Sequence, residues 1–174
     1  MSDAEYRPAF SYESGVVSAR LAHGERALLR DIRFSLPAGA QMALIGETGS
    51  GKTMLALSIF GLLPENVRMQ GGSVRLDGQA LCGAKALARL RGTKLVYIPQ
   101  SGSEALDPTR TVGRQLCDSL RRLGVKGAQL RTLAMEKLCL AGFDAPETLL
   151  DKYPFQLSGG MAQRVTIALA ACSE

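Results

Sequence analysis

Tryptophan is absent from the sequence, and five Phe and four Tyr supply its 5% of aromatic residues. Few aromatics leave little to interleave with basic side chains, which argues against a surface built to stack nucleic-acid bases. Long apolar runs are also missing. The most apolar stretches, residues 54–63 and 165–172, fall well short of the roughly 18 residues that a membrane helix needs. Asp3, Glu5 and Arg7 precede any apolar run, a pattern unlike a secretory signal. Cys82, Cys117, Cys139 and Cys172 are far apart, so no pair has the spacing of a zinc knuckle or a redox motif. Buried thiols in a reducing compartment are the plain expectation.

What is present fits one ordinary globular domain: 174 residues, 46% hydrophobic and 21% charged. Wholesale disorder is excluded by that composition. The formal charge of +5 and the 19 glycines favour an anionic partner and tight loops. Arginines and lysines cluster loosely at Arg68, Arg75, Arg89, Arg91 and Lys94, then at Arg110, Arg114, Arg121 and Arg122. They read as solvated faces.

Residues 1–14 read as a frayed lead-in. Strand-like segments follow at 16–21 and at 31–36, where Ile32, Phe34 and Leu36 alternate onto one face. After a turn at 37–40, residues 41–45 read as a short apolar strand of a sheet covered on both faces. Residues 52–63 form an apolar helix ended by Pro64, with apolar positions around most of its circumference. A strand at 73–76, a turn at Asp77 and Gly78, a helix at 84–91 and a strand at 94–98 come next. Beyond residue 103 the pattern turns helical, at 112–123, 128–140 and 161–172. In the last of these Met161, Val165, Ala168, Leu169 and Cys172 share a face, opposite Gln163, Arg164 and Thr166. The organisation expected is a lead-in at 1–14, an α/β nucleotide-binding core at 15–102, a helical subdomain at 103–157, and a helix at 158–174 that returns to the core.

Two stretches carry chemistry. Gly46, Glu47, Thr48, Gly49, Ser50, Gly51, Lys52 and Thr53 match G-x-x-x-x-G-K-[ST] at every fixed position, between an expected strand and an expected helix. Glycines allow successive N–H groups to converge on a phosphate. The following helix adds unsatisfied donors and partial positive charge. Lys52 suits the β- and γ-phosphates and the Thr53 hydroxyl suits Mg²⁺. Kinases, GTPases, motors and transporters share this loop, so it leaves the function open. A GTPase should also carry N-K-x-D, and the sequence has none. The second stretch is Leu157-Ser158-Gly159-Gly160-Met161-Ala162-Gln163-Arg164, where a serine and two glycines open an apolar helix and offer a second anion site.

That second stretch, about a hundred residues after the first, resembles the signature of ATP-binding-cassette (ABC) ATPases. Tyr97-Ile98-Pro99-Gln100 sits where the family has its Q-loop, and residues 106–113 (LDPTRTVG) resemble the L-[ND]-P-x-x-T-V-G run that follows. Tyr153-Pro154-Phe155-Gln156, together with Met161, is similar to the oligopeptide, dipeptide and nickel importer branch. The resemblance covers about residues 15–174. It implies a P-loop NTPase fold with a β-rich N-terminal part, an inserted helical subdomain and an incomplete sheet. Residues 46–53 would bind the phosphates of ATP. Thr53 and Gln100 would attend Mg²⁺, with Gln100 relaying nucleotide state to a membrane subunit. Ser158, Gly159 and Gly160 would complete the site of a second cassette, in a head-to-tail homo- or heterodimer with two ATP at its interface. The implied partners are that second ATPase subunit, the permease subunits and, indirectly, a solute-binding protein, at the cytoplasmic side of the membrane. No nucleic acid is expected. The alternatives are a non-transport ABC ATPase of the DNA-repair type and a regulatory ATP-binding module.

The sequence departs from the family pattern after residue 174, where the resemblance leads one to expect an apolar strand ending in Asp-Glu and then a switch histidine. The only histidine, His23, lies ahead of the phosphate loop and reads as an exposed loop residue. The expectation is an N-terminal portion of a longer product, able to bind ATP but not to turn it over. It would expose an apolar edge beside residues 41–45. The base contact has no candidate: residues 17–21 read Val-Ser-Ala-Arg-Leu, and Arg20 reads as solvated.

Overall fold

The computed structural model describes residues 9–81 and 83–173. Most of the lead-in, and Cys82, lie outside them. The chain divides into two units, one up to Arg89 and one from Leu90.

The N-terminal unit is an antiparallel sheet with two helices. Its elements are β1 (Phe10–Leu21), β2 (Gly24–Arg30), β3 (Arg33–Leu36), α1 (Lys52–Phe60), β4 (Val67–Leu76), β5 (Gln79–Leu81) and α2 (Gly83–Leu90). The strand order is β2-β1-β4-β5, with β3 also pairing β1. β1 starts at Phe10, so residues 10–14 are strand and not lead-in; Phe10↔Leu36 and Phe10↔Leu76 give them partners on both sides. One edge of β1 serves two strands in turn. β2 covers Val16–Leu21, the chain breaks at Asp31 in a positive-φ conformation, and β3 then covers Phe10–Glu13. Tyr12, Val17 and Val74 are the most buried apolar residues of this sheet. Arg20 and His23 are exposed, as expected.

Two expected strands do not form. Residues 41–45 lie in irregular backbone, and among the described residues no strand pairs with them. Strand preference is a preference for a neighbour to bond and a surface to pack on, and here neither is supplied. Met42 and Leu44 are each 47% exposed and Ile45 is 92% exposed. Residues 94–98 likewise make only one bridge, Arg91↔Leu95. The described sheet is therefore antiparallel throughout and open. α1 fully buries Leu55 and Ser58, while Met54, Ala56, Leu57, Ile59 and Phe60 are half-buried.

The C-terminal unit is helical: α3 (Gly102–Ala105), α4 (Val112–Arg122), α5 (Gln129–Leu140) and α6 (Gly159–Ala170), with short 3₁₀ turns at Pro146–Thr148 and Pro154–Gln156. One apolar core joins them, centred on Val112, Leu116, Leu138, Val165 and Cys172. The run at 106–113 builds the start of α4. The Asp107 carboxylate accepts from the Thr109 amide at 2.9 Å and its hydroxyl at 2.7 Å. Those two bonds, the hydroxyl's first, hold Asp107 below the usual carboxylate range. Thr111 caps α4, accepting from the Arg114 amide. The Val112 and Gly113 amides donate to the Lys152 and Leu150 carbonyls at 2.9 and 2.8 Å. In α6 the buried set is Ala162, Val165, Thr166 and Ala168. Thr166, expected on the solvent side, is inside because its hydroxyl finds carbonyl acceptors there.

Candidate nucleotide-binding site

The loop at 46–53 wraps its own lysine. Lys52 Nζ donates to the Gly46 and Glu47 carbonyls at 2.7 and 2.6 Å and lies 3.4 Å from Ser50 Oγ. The Ser50 amide closes the turn on the Glu47 carbonyl at 3.2 Å. This curl requires glycine. Gly49 and Gly51 sit at φ +86° and +93°, where a side chain is strained. A Cβ on Gly46 would lie 2.8 Å from Ser50 Oγ, inside the curl. Gly51 leads into α1 without a side-chain cap, and no acidic residue occupies the first turn of that helix. Its N-terminal donors and dipole are thus not countered from within the helix. Thr53 presents an exposed hydroxyl at the same end. An ammonium at the centre of a ring of backbone, beside an open helix start, is a donor set suited to a phosphate chain.

Gln100 and the signature residues belong to the C-terminal unit. Gln100 is exposed. Ser158 is the N-cap of α6 and accepts from the Met161 amide at 3.3 Å. Gly159 and Gly160 are exposed, and a Cβ on either would meet nothing within 4 Å. Their glycine character answers no need of the local backbone. The contrast with α4 is informative: there the chain itself consumes the leading amides, whereas the first two amides of α6 have no backbone acceptor among the described residues. The turn at Pro154–Gln156 delivers the chain to Ser158, with Gln156 Oε1 accepting from the Tyr153 amide at 2.8 Å. Arg164 has a structural post: it donates to the Gly142 carbonyl at 2.7 Å and lies over the Phe143 ring. Among the described residues no cluster of His, Cys, Asp or Glu could hold a metal ion.

The sequence of the family described as ABC transporter matches residues 29–174. The chain belongs to that family. Curated relatives agree. The chain is 38% identical over 152 residues to the oligopeptide transport ATP-binding protein OppD of Mycobacterium tuberculosis, covering 84% of this chain and 24% of OppD. It is 34% identical over 149 residues to the metal-staphylopine import system ATP-binding protein CntD of Staphylococcus aureus, covering 84% of this chain and 55% of CntD. The chain thus spans about a quarter of OppD and just over half of CntD. Among solved structures, the dimeric ATP-binding cassette MJ0796 bound to ADP and Pi superposes with a TM-score of 0.78 at 24% identity, over 94% of this chain and 69% of that one. That likeness fixes the fold as the ABC ATPase cassette. No helix among the described residues is long and apolar enough to cross a membrane.

Sequence reasoning singled out the loop, Gln100 and Ser158–Gly160, and passed over three residues that shape the C-terminal unit. Gly102, Gln163 and Thr166 form a junction between the segment after Gln100 and α6. The available signals were the glycine two positions after Gln100 and a polar pair spaced by one turn on an otherwise apolar helix.

Proposed function

We propose that this chain is nucleotide-binding material of the ATP-binding subunit of an importer, for peptides or for a metal in complexed form, nickel among them. The observation that carries the reading is the Lys52 ammonium bound by the Gly46 and Glu47 carbonyls inside a glycine-shaped curl at the open start of α1. In this reading Gly46, Glu47, Thr48, Gly49, Ser50 and Gly51 give backbone amides to the ATP phosphates. Lys52 supplies the fixed charge, and Thr53 holds Mg²⁺ with Gln100. The ion neutralises phosphate charge when bound. Ser158, Gly159 and Gly160 serve the nucleotide of a second cassette, and their unobstructed exposure supports that role. Hydrolysis, the general activity of the family, is proposed for the whole protein. So are the permease partners and a place on the cytoplasmic side of the membrane.

Lys52→Ala tests the reading. One charge-assisted bond to phosphate is worth about 1.5–3 kcal/mol, which is a loss of ATP affinity of roughly tenfold to over a hundredfold. Calorimetric titration with ATP and Mg²⁺ should show that loss. Retained affinity overturns the loop assignment.

A further inference from the structure

The segment that follows Gln100 rests directly on the backbone of α6. Gly102 is buried, and a Cβ built on it would lie 2.5 Å from the Ala162 carbonyl carbon and the Gln163 Cα, and closer still to the Gln163 nitrogen. No flexible side chain tip is involved, so nothing can swing away to admit even a methyl group. Two polar contacts flank this seat. The Thr166 hydroxyl reaches the Gly102 carbonyl at 3.2 Å and the Ala162 carbonyl at 3.0 Å, sharing one proton between them. On the other side Gln163 Nε2 points at the Pro99 carbonyl at 3.5 Å. Gln163 Oε1 is buried without a partner in this arrangement. The three α6 residues occupy its first two turns, directly beneath the Ser158 cap.

We propose that Gly102 is a positioning residue, whose missing side chain lets the Gln100 segment and the serine-capped start of α6 move as one piece, so that Gln100 and Ser158 keep a fixed separation. The proposal rests on the assignment of Gln100 and Ser158 made above. Gly102 and Thr166 are both buried. Their effect passes through the backbone contact, because a backbone-on-backbone seat has no soft side-chain torsions to absorb a displacement. Thr166 locks the seat by donating its hydroxyl to the buried Gly102 carbonyl.

The test compares Gly102→Ala, Thr166→Val and Thr166→Ser in the full-length protein. Three quantities are read: amide hydrogen exchange over residues 100–106 and 159–166 without nucleotide, ATP affinity of the monomer, and the dissociation constant of ATP-driven pairing. Gly102→Ala and Thr166→Val should speed exchange in both segments at least tenfold, and Thr166→Ser should restore it. Monomer ATP affinity should stay within twofold in all three, while pairing weakens at least tenfold in the first two only. Unchanged exchange overturns the seat. Faster exchange with unaltered pairing overturns the positional role, and so does ATP affinity falling in step with pairing. A wild-type protein that binds ATP but never pairs removes the reading on which the role rests, and the exchange result still judges the seat by itself. If Gly102→Ala does not fold, the Thr166 pair carries the comparison, since Val keeps the volume without the hydroxyl and Ser keeps the hydroxyl.

Discussion

The sheet and the phosphate-loop helix are joined by one buried hydroxyl pair, and its energetics have a definite sign. Tyr12 on β1 is 1% exposed and Ser58 on α1 is 3% exposed; their hydroxyl oxygens are 2.6 Å apart. Ser58 Oγ is also 2.7 Å from the Leu55 carbonyl, which can only accept. Ser58 has one proton and gives it to Leu55, so Tyr12 donates to Ser58. The other acceptor near Tyr12 is Met69 Sδ at 3.7 Å, a weak one. Tyr12→Phe therefore removes one bond and leaves Ser58 satisfied, at a cost of about 1 kcal/mol. Ser58→Ala leaves a buried phenol with only the sulfur, at about 1–3 kcal/mol, offset by roughly 0.5 kcal/mol of better helix propensity. Adding Tyr12→Phe to Ser58→Ala then deletes the stranded phenol, so the second change is neutral or stabilising. The same substitution thus costs stability in one background and restores it in the other, a coupling of about 1–3 kcal/mol. Urea unfolding of the four proteins, followed by far-ultraviolet circular dichroism, measures the cycle. Equal cost of Tyr12→Phe in both backgrounds would refute the bond assignment.

Two further outcomes are expected. Ser158→Arg fills the open start of α6 and removes its cap; it should leave monomer ATP affinity within twofold and abolish ATP-driven pairing by light scattering, whereas a loss of monomer affinity would assign Ser158 to its own chain's nucleotide. Burial pushes the Cys172 thiol up, with the Lys137 charge opposing in part, while Cys139 is exposed. A thiol value raised by folding means that the native chain holds the proton more tightly. Its contribution to stability is complete below the unfolded value of about 8.5 and is lost as pH rises through the folded value. Iodoacetamide at pH 8 should label Cys139 early and Cys172 only on unfolding; early label on Cys172 would contradict its burial.

The phosphate loop was legible because its conformation is a matter of local backbone. Glycines at fixed spacing, followed by Lys and Thr, dictate the curl without help from distant residues, and Gly49 and Gly51 indeed take positive φ. The helices of the C-terminal unit were legible for a similar reason: their apolar spacing matches the core they share. Strands were harder, because a strand is defined by its neighbour. Residues 41–45 and 94–98 have the composition of strands, yet among the described residues no strand pairs with the first and the second makes only the bridge Arg91↔Leu95. β2 has Glu25, Arg26 and Arg30 in seven residues and no alternation, yet it pairs because the turn after Leu21 lays it against β1. Thr166 was misplaced since helical periodicity assigns a polar residue to solvent, whereas its hydroxyl is satisfied inside by the Ala162 carbonyl of its own helix and the Gly102 carbonyl. Ser158 was readable as a cap, but that the amides behind it remain vacant while those of α4 are taken required the neighbours of both helices.

The bare strip of Met42, Leu44 and Ile45 runs straight into Gly46. In the proposed reading, the anchor of the phosphate grip is thus tethered on its upstream side by backbone that no described strand braces. Any strand that zippers alongside would quiet the loop and sharpen its hold on nucleotide. By reciprocity, nucleotide would favour the zippering to the same degree. In that reading, assembly of the sheet and occupancy of the loop would be two sides of one equilibrium.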